Sequence, residues 1–251
     1  KEIAKKGIKV LICDSLYSGE ERKTASERVA RTMLDDVLSG MTNNRNGIIV
    51  TTFSSHIARL KSITDFGKKL NREIIFLGRS INKYVSAATR VGICPFRNDV
   101  KIATYRKQLE RELKRIDRNR GNYMIVCTGH QGEPGSILDR LSRNKLPFRI
   151  QKSDNIIFSS SVIPTPVNIE NRNLLDGRLK KRGSRLFKNI HVSGHAGRED
   201  LRDFLEMTKP EHIIPAHGGH DKTAHLITLA KELGYKDKYL HLTSNAKRLK
   251  F

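Results

Sequence analysis

The chain has 251 residues with 48 Lys+Arg against 26 Asp+Glu, a net charge of +22, and this length can bury a sizeable core in one or two domains. The basic excess predicts a polyanionic partner, with solubility or growth at high temperature as the competing explanation. Widely spaced Cys13, Cys94 and Cys127 exclude a zinc knuckle or redox motif, and no apolar run reaches membrane-spanning length, so we expect a soluble cytoplasmic protein with no membrane partner.

Short runs rich in β-branched residues recur along the chain. Each is continuously apolar, which is typical of strands covered on both faces. The predicted strands are 8–13, 47–51, 73–77, 123–127, 155–158, 188–192 and 212–214. The helical patterns between them include 26–38, 57–70, 104–117, 198–207 and 222–233. This alternation predicts an α/β fold with a mostly parallel sheet built of βαβ units.

Two further stretches bear on organisation. A basic, glycine-punctuated run at 177–185 predicts a domain boundary, and residues 239–251 favour a closing hairpin. The helical stretch 104–120 carries charges of both signs with a basic excess. A solvated helix is the default interpretation of that stretch, and RNA contact is the alternative.

Polar and glycine-rich tracts follow three of the predicted strands, at 51–56, 127–134 and 159–161. Ligands of parallel α/β sheets lie beyond the carboxyl ends of the strands. Small hydroxyl residues and glycines there let N–H and O–H groups approach a phosphate closely. Together the tracts predict a phosphate-binding rim, although each one alone also fits helix capping or a turn.

Seven of the nine histidines lie between His191 and His241. The motif HVSGH places His191 and His195 on a strand-to-loop transition, which suits holding a phosphate and protonating a leaving oxygen. His217 follows a strand and precedes two glycines, which allow a sharp turn that leaves its imidazole projecting. That imidazole fits a metal ligand and an ordinary loop histidine equally well.

Five motifs in this order resemble the β-CASP nucleases of the metallo-β-lactamase superfamily, and ribonuclease J in particular. They are VLICDS at 10–15, TGHQGEP at 128–134, FSSS at 158–161, HVSGH at 191–195 and PAHG at 215–218. The resemblance covers nearly the whole chain. Its specific part is VSGH followed by AHG, whereas a serine triplet alone carries no information.

The resemblance implies a Rossmann-like β-CASP domain with a mainly parallel sheet, plus the C-terminal portion of a metallo-β-lactamase αββα sandwich. It divides the chain into 1–14 as the end of a first metallo-β-lactamase segment, 15–184 as the β-CASP domain and 185–251 as the returning segment. The chain is then expected to be a truncated form of a longer enzyme.

The same resemblance assigns residue roles. It implies that Asp14 and His195 are catalytic and that His217 ligates metal; a carboxylate bonded to an imidazole fixes its tautomer, so His195 can protonate the departing 3′ oxygen. The implied RNA- and phosphate-binding residues are His191, Val192, Ser193, Gly194, His195, Gln131, Gly132, Ser159, Ser160 and Ser161.

The chain departs from the family in its metal ligands. The His-x-His-x-Asp-His signature of the two-zinc site is absent, as are the upstream histidine and aspartate. Catalytic zinc normally needs three protein ligands, and this sequence supplies about one of them. Two zinc ions are therefore expected in the intact enzyme but not in this chain, which is expected to be inactive.

The sequence supports more than one function. The leading hypothesis is metal-dependent 5′-to-3′ exonucleolytic hydrolysis of single-stranded RNA by the intact protein. The alternatives are a module that only binds RNA and an endonuclease of the messenger-RNA 3′-end cleavage type. A nucleotide-binding protein unrelated to nucleases is disfavoured because no Walker loop or G-x-G-x-x-G occurs. The oligomeric state is open, with a homodimer among the alternatives.

Overall fold

The computed structural model describes residues 2–41 and 45–251. Residues 1 and 42–44, which fall within the predicted domain segments, lie outside the described residues. The chain forms two compact units. The split unit consists of Lys1–Ser26 and Ser193–Phe251, and the continuous unit consists of Glu27–Val192.

The continuous unit is built on a six-stranded sheet in which every neighbouring pair is parallel, in the order β4-β3-β5-β2-β6-β7. Its strands are β2 (Ile48–Thr51), β3 (Glu73–Leu77), β4 (Val100–Ala103), β5 (Tyr123–Cys127), β6 (Asn155–Phe158) and β7 (Arg185–Phe187). The register pairs Ile48 with both Met124 and Asn155. The prediction of an α/β fold with a mainly parallel sheet is confirmed.

Helices cover both faces of this sheet, which explains why its strands are continuously apolar. One face carries α2 (Glu27–Ser39), α3 (Ile57–Lys69) and α4 (Arg79–Arg90). The other carries α5 (Arg106–Arg118), α6 (Ile137–Ser142) and α7 (Pro166–Lys181). Phe76 and Phe158 are fully buried in the two resulting cores, and each such side chain contributes about 1.5–3 kcal/mol to folding.

The split unit pairs two parallel strands, β1 (Val10–Asp14) and β8 (His212–Ala216). Its helices are α1 (Glu2–Lys5), α8 (Arg198–Thr208) and α9 (His220–Glu232), and Leu201, Leu205, Ile213, Leu226 and Leu229 form its core. The register places Asp14 opposite Ala216. The carboxyl ends of the two strands therefore coincide, so Asp14 lies beside the turn that carries His217.

The predicted strand at 188–192 is wrong. The strand that pairs with β6 is instead β7, at Arg185–Phe187. Asn189 then adopts a left-handed backbone conformation, with φ of 59°, which extended strands do not contain. The chain leaves the ladder at this point, and Ile190 O accepts side-chain hydrogen bonds instead.

The predicted closing hairpin is also wrong. In the described part of the chain after 239, Leu240 forms a single parallel bridge with Ile213, and residues 241–251 form no strand. Ala246 has a positive φ of 64°, which breaks an extended run. The sequence patterns also failed to predict α4, α6, α7 and β4.

The compact units divide the chain at 26/27 and 192/193, whereas the predicted segments end at 14 and 184. Residues after β1 stay with the split unit because Ser15 N–H donates to Ala216 O at 3.0 Å and Ser18 Oγ donates to Lys222 O at 3.1 Å. At the other division, β7 keeps the chain in the continuous sheet. The assignment of named domains to these segments stays a prediction.

Over the described residues, the helices are too short or too polar for a bilayer crossing.

Candidate active site

A carboxylate–imidazole pair lies at the end of β1. Asp14 Oδ2 and His195 Nδ1 are 2.6 Å apart, and the second oxygen, Oδ1, accepts the Leu16 N–H at 2.9 Å. Both carboxylate oxygens are thus engaged, which fixes the orientation of the carboxylate. The pairing at Nδ1 leaves His195 Nε2 as the ring nitrogen free to act on a ligand.

Neighbouring groups hold the His195 backbone and ring. Ser193 Oγ accepts the His195 N–H at 3.0 Å, and the Thr24 hydroxyl donates to His195 O at 2.6 Å. The Tyr17 ring meets the imidazole edge-on, with ring centroids 5.5 Å apart. Ser193 therefore positions the His195 backbone. The Ser193 hydroxyl is the acceptor in this contact, and its own proton has no described acceptor. Gly194, between them, is exposed.

His217 completes the cluster. Its backbone is left-handed, with φ of 64°, an uncommon conformation for a histidine that often marks a functional turn. Its ring stacks on that of His195, with centroids 5.1 Å apart and planes at 23°. One ligand atom from each of Asp14, His195 and His217 lies within 4.8 Å of the others.

The three side chains offer imidazole nitrogens and a carboxylate oxygen, the donor set that zinc prefers. Because Asp14 already bonds His195, His217 is the one member of the cluster with no described side-chain hydrogen bond. Within residues 2–41 and 45–251, no other group of three or more His, Cys, Asp or Glu side chains lies close enough together to share an ion. The chemistry fits a metal, with His217 as the available ligand.

The charge of Asp14 is favoured by its surroundings. Partial burial acts to raise the pKa of Asp14, but the hydrogen bonds from Leu16 N–H and His195, together with the nearby imidazoles, lower it below the usual value of 3.8. Asp14 is therefore a carboxylate at neutral pH. A carboxylate at Nδ1 accepts a hydrogen bond from the imidazole and so fixes its tautomer and orientation.

In the continuous unit, Arg59 organises a second polar cluster. Its fully buried guanidinium binds both carboxylate oxygens of Glu27, at 2.5 and 2.8 Å. It also donates to Ser159 O at 3.1 Å, Ser159 Oγ at 2.9 Å and Ile190 O at 3.0 Å. One arginine thus ties α2, the end of β6 and the segment before His191 together.

His191 lies against this cluster, with Nδ1 3.5 Å from Arg59 Nη1. Burial, and then the neighbouring Arg59 charge, lower the pKa of His191 from 6.5 to about 4. At neutral pH its imidazole is uncharged, so it can offer a phosphate one N–H donor and no formal charge. Val192, next in the chain, is half-buried.

The remaining predicted RNA-binding residues also lie in the continuous unit, with differing availability. Ser159 is fully buried, and its hydroxyl donates to Ile190 O. Ser160 Oγ is buried with no partner among the described atoms, and Ser161 is exposed. The Gln131 amide bonds Ser161 O at 3.0 Å and Ile163 N–H at 2.9 Å, so it shapes the loop that carries the serines.

Comparison with known protein families decides the identity of the chain. A family model described as "Ribonuclease J, beta-CASP domain" matches residues 45–174, about half of the chain. The chain belongs to the ribonuclease J family. A second model, "Zn-dependent metallo-hydrolase RNA specificity domain", matches residues 183–240, which include His195 and His217.

Curated ribonuclease J proteins are similar over most of the chain. That of Methanocaldococcus jannaschii is 42% identical over 100% of this chain and 56% of its own length. That of Pyrococcus abyssi is 41% identical over 94% of this chain and 52% of its own length. The ribonuclease J of Sinorhizobium meliloti is 30% identical, over 93% and 39% respectively. The chain thus spans about half the length of the archaeal relatives it matches.

Two residues of this ribonuclease J family member were missed by sequence reasoning. Arg59 left a usable signal, since it is a charged residue on the helix face that also carries the buried Leu60, Ile63 and Phe66. His130 left none, because a buried histidine inside TGHQGEP has no distinguishing pattern. Burial, and then the charge of Arg172, lower the pKa of His130 from 6.5 to about 4.

Proposed function

We propose that the intact protein hydrolyses RNA phosphodiester bonds with the help of bound metal, as a 5′-to-3′ exoribonuclease of the cytoplasm. The observation that carries the proposal is the convergence of Asp14, His195 and His217 within 4.8 Å. Membership of the ribonuclease J family supports RNA as substrate. The net charge of +22 supports a single-stranded polyanion as partner.

The proposed role of His195 is to donate a proton. Asp14 holds the proton on Nδ1, so that the protonated ring can release the proton on Nε2 to the 3′ oxygen as the P–O3′ bond breaks. Water supplies the new oxygen on phosphorus, one product keeps a 3′ hydroxyl, and the other keeps a 5′ phosphate. Asp14 thereby acts through His195 as a positioning residue.

The residue proposed to hold zinc is His217. Zinc supplies, when bound, Lewis-acid stabilisation of phosphoryl charge and a lower pKa for water. Three protein ligands are usual at a catalytic zinc, and His217 provides one. We therefore propose that the 251-residue chain alone binds RNA but does not cleave it.

The direct test uses the complete gene product and a 5′-end-labelled RNA. His195→Ala should lower the single-turnover cleavage rate by about 10²–10⁴-fold, the usual contribution of a positioned general acid. RNA affinity and zinc content should stay unchanged. His225→Ala removes an exposed histidine from α9 of the same unit as a control. Cleavage by His195→Ala at the control rate would remove the proton-donor role.

A second test addresses polarity and the role of His217. RNAs bearing a 5′ monophosphate or a 5′ triphosphate should differ strongly in rate, with label released from the 5′ end as mononucleotides. Internal cuts with no dependence on the 5′ group would support the endonuclease alternative. His217→Ala should lower the number of zinc ions bound per protein molecule. Atomic emission measures this number independently of activity.

A further inference from the structure

A groove crosses the carboxyl edge of the continuous sheet, at the ends of β3, β4 and β5. It consists of two adjoining cavities of about 490 and 450 Å³ that share Ser80, Thr128, Gly135 and Ser136. The chain turns to α4 on one face after β3, and to α5 and α6 on the other face after β4 and β5. Such divergent connections open a crevice at the strand ends, where α/β proteins bind ligands.

The first cavity of this groove is positively charged. Arg79, Arg106 and Arg140 line it, and no described carboxylate does. The Arg79 and Arg140 guanidinium groups form no ion pair in the described part of the chain, while the exposed Arg106 pairs with the half-buried Glu110 at 2.9 Å. An exposed pair of this kind contributes little energy, so it leaves Arg106 available to a ligand.

Two of these arginines stand where helix electrostatics disfavour them. Arg79 is the first residue of α4 and Arg106 is the first residue of α5. The start of a helix carries partial positive charge and normally attracts Asp or Glu. Neither helix has an acidic residue in its first turn, and neither has a side-chain cap. A bound phosphate would relieve this repulsion and satisfy free N–H groups of both helices.

The groove also presents aromatic and polar groups, and its second cavity includes one carboxylate, that of Glu133. Tyr105 is 75% exposed at the first cavity, and Tyr84 is 43% exposed at the second. His130 lines the second cavity and is 6% exposed; the Thr52 backbone lies near its ring, but neither ring nitrogen forms a well-aligned hydrogen bond among the described residues. A neutral imidazole can both donate to and accept from a base edge or a 2′ hydroxyl.

We propose that this groove binds single-stranded RNA, with phosphates on Arg79, Arg106 and Arg140 and bases stacked on Tyr84 and Tyr105. Alternating cations and exposed aromatic rings are the usual construction of a single-strand track. Two adjoining cavities with three arginines fit several nucleotides rather than one. The inference rests on the proposed function and adds to it a second region, besides the catalytic cluster, that contacts the RNA substrate.

The test measures affinity with His195→Ala in the complete gene product, so that the RNA stays intact. Labelled RNAs of about 4 and about 16 nucleotides separate short from extended contacts. Arg79→Gln with Arg106→Gln should weaken binding of the long RNA about tenfold and reduce its log–log salt slope by about 0.7 for each arginine. Tyr105→Ala should weaken it at least about fivefold. Binding of the short RNA should weaken less, because it can bind at the catalytic cluster alone.

The matched control is Arg90→Gln with Arg118→Gln. These exposed arginines end the same two helices, so the charge change is equal but lies at the opposite edge of the sheet. Circular dichroism checks folding of each variant. The proposal that the groove binds RNA would be overturned if the two double variants had equal effects. It would also be overturned if the short and the long RNA lost affinity equally. A failure of the nuclease proposal would appear separately, as wild-type protein that binds long RNA through the groove but does not cleave it.

Discussion

Arg59 shows how a single buried side chain can hold a polar region together. Its guanidinium satisfies Glu27, Ser159 and Ile190 from a fully buried position in α3. Removing one partner of such a network leaves the others desolvated and unpaired, which costs more than the network contributes when intact. The loop ending at His191 therefore depends on a residue that lies far from it in the sequence.

Arg59→Met should lower the free energy of unfolding by about 3–5 kcal/mol, because the Glu27 carboxylate and two carbonyl groups lose their partner. Urea unfolding followed by circular dichroism measures this. Arg90→Met, at an exposed position of α4, should change stability by no more than about 0.5 kcal/mol. A similar small loss for Arg59→Met would mean that the network is not structural.

His130 predicts a dependence of stability on pH. The unfolded chain protonates this histidine near its ordinary pKa of 6.5, whereas the folded chain keeps it neutral down to about 4. The unfolded state thus binds more protons in this window, and stability falls as the pH drops. For a group this buried the loss at pH 5 relative to pH 7 is about 2 kcal/mol.

His130→Asn should remove most of that loss. Urea unfolding at pH 7 and pH 5 is the appropriate comparison, because carboxylates such as Glu27, Asp65 and Asp139, whose pKa values the folded state lowers, lose their stabilising effect mainly below pH 5. His225→Asn controls for the loss of an exposed imidazole. An undiminished pH dependence in His130→Asn would assign the effect to other groups, of which His191 is the next to test.

At the scale of elements, Gly132 joins the β5 loop to α7. Its φ is +79°, and a Cβ placed there would collide with the Asn171 and Arg172 backbone. The family resemblance implied RNA binding for Gly132, which stays a prediction; the structure shows that Gly132 permits a close approach of two backbones. Only glycine permits both the conformation and the contact.

Gly132→Ala should therefore destabilise the fold by about 2–4 kcal/mol, adding overpacking to the left-handed conformation. Gly92→Ala is the matched control, because Gly92 has a similar φ of +74° but no atom within 4 Å of an added Cβ. It should cost only about 1–2 kcal/mol. Thermal unfolding compares the two variants, and equal losses would show that the α7 contact is not tight.

Elements with a strong pattern could be predicted, and elements fixed by tertiary contacts could not. The strands 73–77, 123–127 and 155–158 have the bounds expected from continuous apolar runs. The segment 188–192 has the same composition, but Asn189 and the hydrogen bonds to Ile190 O direct it away from the sheet. The apolar composition of a segment therefore predicts that the segment is buried, but it does not predict which neighbouring element covers it.

The candidate site likewise has a part that the sequence predicted and a part that depends on tertiary contacts. Strand ends predicted the positions of Asp14 and His217, but their proximity depends on the β1–β8 register, which no local pattern specifies. Resemblance to a family supplied the Asp14–His195 pairing. The tracts 51–56 and 127–134 predicted phosphate contacts on one side of the groove. Neither route indicated its basic side, because Arg79 and Arg106 at helix starts look like ordinary surface charge until the cavity is seen.

At the scale of the whole molecule, the net charge of +22 predicts RNA binding that weakens steeply with salt. The 251-residue chain should bind single-stranded RNA at low salt and release no product in added zinc. Filter binding with a parallel gel assay tests both statements. Cleavage by the purified chain that depends on His195 would contradict the expected inactivity and would require the metal site to be complete within it.

The central claim is that Asp14 acts on RNA through His195. A double-mutant cycle in the complete gene product tests it most directly, with single-turnover cleavage rates for Asp14→Asn, His195→Ala and the combination. We predict that the double variant cleaves no more slowly than His195→Ala alone, because Asp14 has no imidazole left to position. Rate losses that multiply would contradict the claim and would give Asp14 an independent role.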